Sequence, residues 1–233
     1  MISFDSILAR AQQRKGGAAA LQALLPSSPD PQHLQQLGDD RILAEMSKRV
    51  FCAGFSWTVI DNKWPEFETA FLGFNPDTLV FQPNEFWDAL FANPRIVRHA
   101  AKILSVRDNA GFIREIASEH GSFGQFLSAW PSARQFDLLN ILSERGSRLG
   151  GNTGQMFLRY IGWDGFVLSK DVILCLRDAG LDIGAEAKSK KDQAKVQAQF
   201  NAWAEETGLS YSHLSKICAL SIGENASETS ETE

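Results

Sequence analysis

Trp57 is a residue suited to hold a flat ring, because its indole offers a broad, electron-rich face. It ends the run Ala53-Gly54-Phe55-Ser56-Trp57, and Phe51, Phe55 and Trp64 are close enough in sequence to share a pocket with it. Aromatic residues at helical spacing usually pack in a core, and spacing alone favours that reading for all four. A second group is basic. Arg95, Arg98 and Lys102, with His99 beside them, recur at i, i+3 and i+7. On the opening turns of a helix such a stripe can follow a phosphate backbone, or it can be a solvated face. Asn93-Pro94 ahead of it adds an N-terminus whose amides can face an anion.

The elements that must position these residues read as helices throughout, with no run of period-two alternation. Phe4, Ile7, Leu8 and Ala11 share one face of a first helix, and Ser27 to Pro31 form a connector. Asp39 or Asp40 can cap a helix through Val50 that ends near Gly54, and Pro65 opens a short helix bearing Phe67 and Phe71. Asn75 precedes Pro76 as a cap, Pro83 starts the next segment, and Asn93-Pro94 opens the longest helix, towards Glu119. Gln135 to Glu144 and Gln155 to Ile161 flank the stretch Leu149-Gly150-Gly151-Asn152-Thr153-Gly154. Ser169 caps a helix to Ala179, and segments from Ser189 and Ser210 close the fold.

Bulk properties exclude several classes. With 44% hydrophobic and 22% charged residues the composition is that of an ordinary globular protein. No apolar run reaches membrane-spanning length. The charged N-terminus argues against export and, with three scattered cysteines, for a cytoplasmic protein with reduced thiols. The net charge of −5 argues against indiscriminate nucleic-acid binding. Four glutamates among residues 223–233 supply most of it, in a segment whose composition reads as a disordered acidic tail.

The pairing of Ala53-Gly-Phe-Ser-Trp57 with Arg95-Ile-Val-Arg98-His99-Ala-Ala-Lys102-Ile103 resembles the 3-methyladenine DNA glycosylase I family, of the helix-hairpin-helix superfamily. The likeness covers roughly residues 40 to 120 well and 147 to 181 loosely. It implies an all-α, helix-hairpin-helix glycosylase-like fold of two closely packed helical lobes, over residues 1–222 as one domain. It also implies hydrolysis of the N-glycosidic bond of an alkylated, 3-methyladenine-like purine flipped from double-stranded DNA, by a monomer without cofactor. Trp57 becomes the base platform, with Phe51, Phe55 and Trp64 as further pocket walls. Arg95, Arg98, Lys102, Arg148, Gly150, Gly151 and Thr153 become DNA contacts, the last four from the hairpin. A catalytic aspartate after the hairpin corresponds to Ser169, with Asp171 two residues later as the candidate.

Besides Ser169, this chain departs from the family in three places, one being the absence of the N-terminal aromatic motif that helps shape the family's pocket. The family's base-recognising glutamate, eight residues before the tryptophan, is here Arg49; Glu45, one turn earlier, is its candidate substitute. Arg49 either enters the pocket, where its charge disfavours a cationic base, or points outward and pairs with Glu45 at i,i+4. The family's Cys/His zinc site has no counterpart, since no cysteine or histidine precedes His33 and His213 with Cys218 is an isolated pair; no metal is expected. Two rival readings remain: a helix-hairpin-helix protein that recognises damaged DNA without excision, and a helical scaffold that binds proteins.

Overall fold

Side chains that accept backbone amides start many of the helices, as the turn chemistry of the sequence requires. The computed structural model describes residues 3–222, so the proposed acidic tail lies outside the described residues. In chain order, α1 (Asp5–Lys15) and α2 (Ala18–Ala23) are followed by α3 (Pro31–Gln36), where Asp30 accepts from Gln32 and His33. Then come α4 (Asp39–Cys52), α5 (Trp57–Ala70), α6 (Pro76–Leu79), α7 (Asn84–Ala92) and α8 (Ala100–His120). Asn75 caps α6 through Thr78, and Ser122 caps α9 (Phe123–Ala129) through Gln125. The hairpin pair is α10 (Gln135–Arg145) and α11 (Asn152–Tyr160). Ser169 caps α12 (Lys170–Asp178), Ser189 caps α13 (Lys190–Thr207), and α14 (Tyr211–Ile222) ends the described chain. No strand occurs among the described residues. The fold is all-α.

Three local expectations fail for identifiable reasons. Pro65 lies inside α5 instead of opening a helix, because Ile60 and Phe67 bury one continuous face on either side of it. That burial outweighs the roughly 3 kcal/mol a mid-helix proline costs. The residue before α4 is Gly38, while the Asp39 carboxylate accepts the amide of Phe123, 2.9 Å away, and so ties α4 to the start of α9. The longest helix begins at Ala100 and not at Pro94. The side chain of Asn93 accepts the amide of Arg95 at 3.0 Å, which holds residues 94–99 in an irregular turn.

The described residues divide into two units. One comprises residues 3–29, 131–137 and 164–222, and its core gathers Phe4, Phe166, Leu176, Phe200, Trp203 and Leu214. Phe166 stacks on Phe200 with centroids 4.3 Å apart. The side-chain amide of Gln135 accepts the Phe166 amide at 2.8 Å and donates to its carbonyl at 2.7 Å. The carboxylate of Asp164 accepts the amides of Tyr211 and Ser212 and so caps α14.

The other unit holds residues 30–130 and 138–163. Its core includes Ile42, Met46, Phe51, Phe71, Trp87 and Ile103. Each fully buried side chain of this size contributes about 1.5–3 kcal/mol. Rings run continuously through it: Trp64 lies parallel to Phe74 at 5.3 Å, and Phe71 stacks on both Phe67 and Phe74. This column fixes α5 against the turn that follows it.

Candidate active site

The second half of α4, the first two turns of α5 and the last residue of α11 meet around one cavity of about 410 Å3. Its walls include Glu45, Lys48 and Arg49 from α4, Trp57 and Asp61 from α5, and Tyr160 from α11. A volume of this size suits a small flat ligand. Trp57 and Tyr160 present two aromatic faces, centroids 5.5 Å apart and tilted by 54°. Tyr160 is half-exposed and completes the site from a distant part of the sequence. Nothing in its local pattern separates it from a helix-end residue.

Arg49 settles between these rings. Its guanidinium carbon lies 4.7 Å from the Trp57 centroid and 4.0 Å from that of Tyr160, close enough for cation–π attraction to both. The side chain is 4% exposed, and Nε sits 2.6 Å from Oε1 of Glu45. Both sequence readings of Arg49 are therefore half right: it pairs with Glu45 at i,i+4, yet it points inward. The contact is off-line for a hydrogen bond, and the buried Nη1 has no acceptor. An unsatisfied donor of this kind costs about 1–3 kcal/mol.

Glu45 borders both this cavity and a neighbouring one of about 320 Å3 that also touches Arg41, Trp64, Glu68 and Tyr160. Burial raises its carboxyl above the usual glutamate value, against the opposing pull of Arg49 and then Lys48. Lys48 pairs with Asp61 at 2.6 Å, so the pocket wall contains two ion pairs and no excess charge.

The remaining pocket candidates separate. Phe51 is fully buried and meets Phe67 edge to face at 4.6 Å, so it is core and not a pocket surface. Phe55 is 40% exposed in the turn after α4, beneath the amine of Lys102 and outside the walls of the cavity. Trp64 faces the neighbouring cavity, donating from Nε1 to Glu68 at 3.1 Å.

The expected basic stripe does not exist as one face. Arg95 and Arg98 lie exposed in the irregular turn before α8, and Arg95 pairs with Glu66. Lys102 is buried, and its amine donates to the carbonyls of Phe51, at 3.1 Å, and Ala53. These are orphan carbonyls at the C-terminal end of α4, and a lysine satisfies them well. Desolvation lowers the Lys102 amine below its usual value, with the nearby charge of Arg148 adding to the effect. Lys102 positions the turn bearing Phe55 and Trp57; it does not face a ligand.

The glycine-rich stretch forms a helix-turn-helix corner as read. Gly151 takes φ +60° and Arg148 φ +62°, and Gly150 is exposed. A Cβ on Gly154 would come within 2.4 Å of the Leu149 carbonyl, so only glycine fits there. Asn109, fully buried on α8, clamps the corner: its amide accepts from Ser147 N at 2.7 Å and donates to Ser147 O at 3.1 Å. Sequence reading missed Asn109, because a polar residue on a long helix carries no sign of its distant partner. Thr153 lies in the first turn of α11, where amides lack helical acceptors. Asp171 lies in the first turn of α12, in the unit that does not contain the pocket.

The residues present do not fit the family's zinc. His213 Nε2 lies 2.9 Å from the Pro26 carbonyl, and Cys218 is buried against Cys175. Among the described residues no group of three or more His, Cys, Asp or Glu side chains could hold a metal ion. Among them also, no helix is long and apolar enough to cross a membrane.

The methyladenine glycosylase family model matches residues 34–140, a span that contains α4, Trp57 and most of the pocket wall. Residues 34–140 form a segment similar to the methyladenine glycosylases. The glycosylase segment bears out the resemblance carried by Ala53 to Trp57, and with it the expected enzyme class, a DNA glycosylase that cleaves N-glycosidic bonds.

An 8-oxoguanine glycosylase/lyase from Methanocaldococcus jannaschii, solved with a 15mer DNA containing 8-oxoguanine, is 13% identical, with 92% of this chain and 96% of that one covered at a TM-score of 0.51. It shares the helical fold. A 3-methyladenine DNA glycosylase I from Staphylococcus aureus is 22% identical over 66% of this chain and 92% of that one, with a TM-score of 0.49. Another 3-methyladenine DNA glycosylase I, solved with 3-methyladenine, is 23% identical over 62% and 85%, also at 0.49. No curated protein matches the sequence.

Proposed function

We propose that this chain hydrolyses the N-glycosidic bond of an alkylated purine drawn out of duplex DNA, with the base held beside Trp57 and Tyr160. The observation that carries this reading is the two-ring cavity with a buried carboxyl, lying largely within the segment that matches the glycosylase family. A base extracted from the duplex needs flat apolar faces and a few polar groups on its edge. The exposed backbone at Gly150 and Gly151, with Thr153 and Arg148, suits a phosphate, and Arg95 and Arg98 add charge nearby in sequence.

Asp171 is the candidate for stabilising positive charge on the sugar as the bond breaks, and Glu45 for contacting the base. Water is the only other reactant, so no cofactor is required. The active form is a cytoplasmic monomer, with residues 1–222 acting as one domain; the buried free thiols of Cys52, Cys175 and Cys218 suit a reducing compartment.

The test is chromatography of bases released from alkylated duplex DNA. Release is expected, and Asp171→Asn should slow it by about 100-fold or more. One observation favours a second reading, recognition without excision: Arg49 already occupies the gap between the rings. Duplex binding with no released base from any alkylated substrate would establish that reading in place of the first.

A further inference from the structure

We infer that Arg49 makes this pocket selective for an uncharged purine that presents a carbonyl oxygen and a ring nitrogen on one edge, in preference to a cationic alkyladenine. The inference rests on the glycosylase reading of the same pocket and narrows its substrate.

Three observations carry it. The first is an unmet donor: the guanidinium is almost fully buried, Nε faces Glu45, and Nη1 has no acceptor. A planar fork in that state is completed by two adjacent acceptors, and the O6 and N7 atoms of a guanine-type edge have that spacing. Adenine offers an amino group where the carbonyl would be, which sets donor against donor.

The second is charge. Lys48 and Arg49 balance Asp61 and Glu45 through contacts of 2.6 Å each, so the wall has no surplus negative charge with which to hold a cation. The third is the rings. The faces of Trp57 and Tyr160 that would attract a positively charged base already attract the guanidinium, at 4.7 and 4.0 Å. A cationic base would meet a like charge in the slot that should stabilise it. An uncharged base meets no such repulsion, and its edge acceptors offer Nη1 the partner it lacks once the guanidinium swings out from between the rings.

Two measurements test this on the full chain. In calorimetric titrations, hypoxanthine should bind at least about ten-fold more tightly than adenine, a ratio within the range of one bidentate base contact. In release assays, duplexes carrying 1-methylguanine, which is uncharged and keeps both acceptors, should be processed faster than duplexes carrying 3-methyladenine. Arg49→Met should bring both ratios to within about two-fold of unity, and Arg49→Lys, which keeps the charge without the fork, should lower them partly. If the loss of Arg49 leaves Glu45 unpaired and the variant unfolded, Glu45→Gln combined with Arg49→Met removes both charges and serves instead.

Equal binding of the two free bases, or ratios that survive Arg49→Met, overturns the inference. Release of 3-methyladenine as fast as 1-methylguanine also overturns it and leaves the glycosylase reading intact. A hypoxanthine preference that depends on Arg49, with no base released from these or any other alkylated duplex, supports the selectivity and overturns the glycosylase reading.

Discussion

The amine of Lys102 ends on two backbone carbonyls at the close of α4, so its replacement tests a cap and not a ligand contact. Lys102→Met should lower unfolding free energy by about 1–3 kcal/mol in urea titrations, because both carbonyls lose a charge-assisted donor. A loss of DNA affinity without a loss of stability would contradict that role. A second residue-scale prediction concerns Cys175. The Cys218 thiol, then Ser221 and Arg10, bring its thiol down to about 7 from 9.0. Between those values the unfolded chain binds more protons, so this contribution to stability is complete above pH 9 and is lost as pH falls through about 7. Unfolding free energy should rise from pH 7 to pH 9 by something on the order of 1 kcal/mol, and Cys175→Ala should flatten that rise. The family resemblance, and not residue type, nominated Trp57 and Glu45 for the site, and both line it. Proximity and spacing in the sequence nominated Phe51 and Lys102, which the core and a helix end claim, because spacing reports a face of a helix and not what that face meets.

At the scale of elements, the hairpin between α10 and α11 is the most constrained feature. Gly154→Ala would force a methyl group against the Leu149 carbonyl, which can give way only if α11 moves. It should cost about 1–3 kcal/mol in thermal or urea unfolding and weaken duplex binding together with stability. Asn109→Ala removes both bonds to Ser147, and should cost about 2 kcal/mol while leaving the pocket walls untouched. Three helix starts were legible because a capping side chain announces itself: Asn75, Ser169 and Ser189 all act as their positions suggest. The start of α8 was not. Asn93-Pro94 has the form of a helix opening, but Asn93 spends its side chain on Arg95 and the turn persists to His99. Short helices such as α3 and α9 escaped notice because one or two turns bury too few residues to leave a period.

At the scale of the molecule, charge governs how DNA is met. The chain carries a net charge of −5, and four of those charges belong to glutamates beyond residue 222. Removing residues 223–233 should tighten duplex binding by something on the order of two-fold at low salt and leave base release rates unchanged. Specific binding should weaken steeply as salt rises, and a flat response in a salt titration would return the scaffold reading to first place.

Two buried amides give this all-helical molecule a property of another fold class. Gln135 and Asn109 each grip one peptide group, Phe166 and Ser147, by donating to its carbonyl and accepting its amide. Each pair reproduces a single rung of a β-ladder with a side chain in place of the neighbouring strand. Loop amides ordinarily trade their protons with solvent within moments. The amides of Ser147 and Phe166, though outside every helix, should keep theirs as long as the helices of the core do.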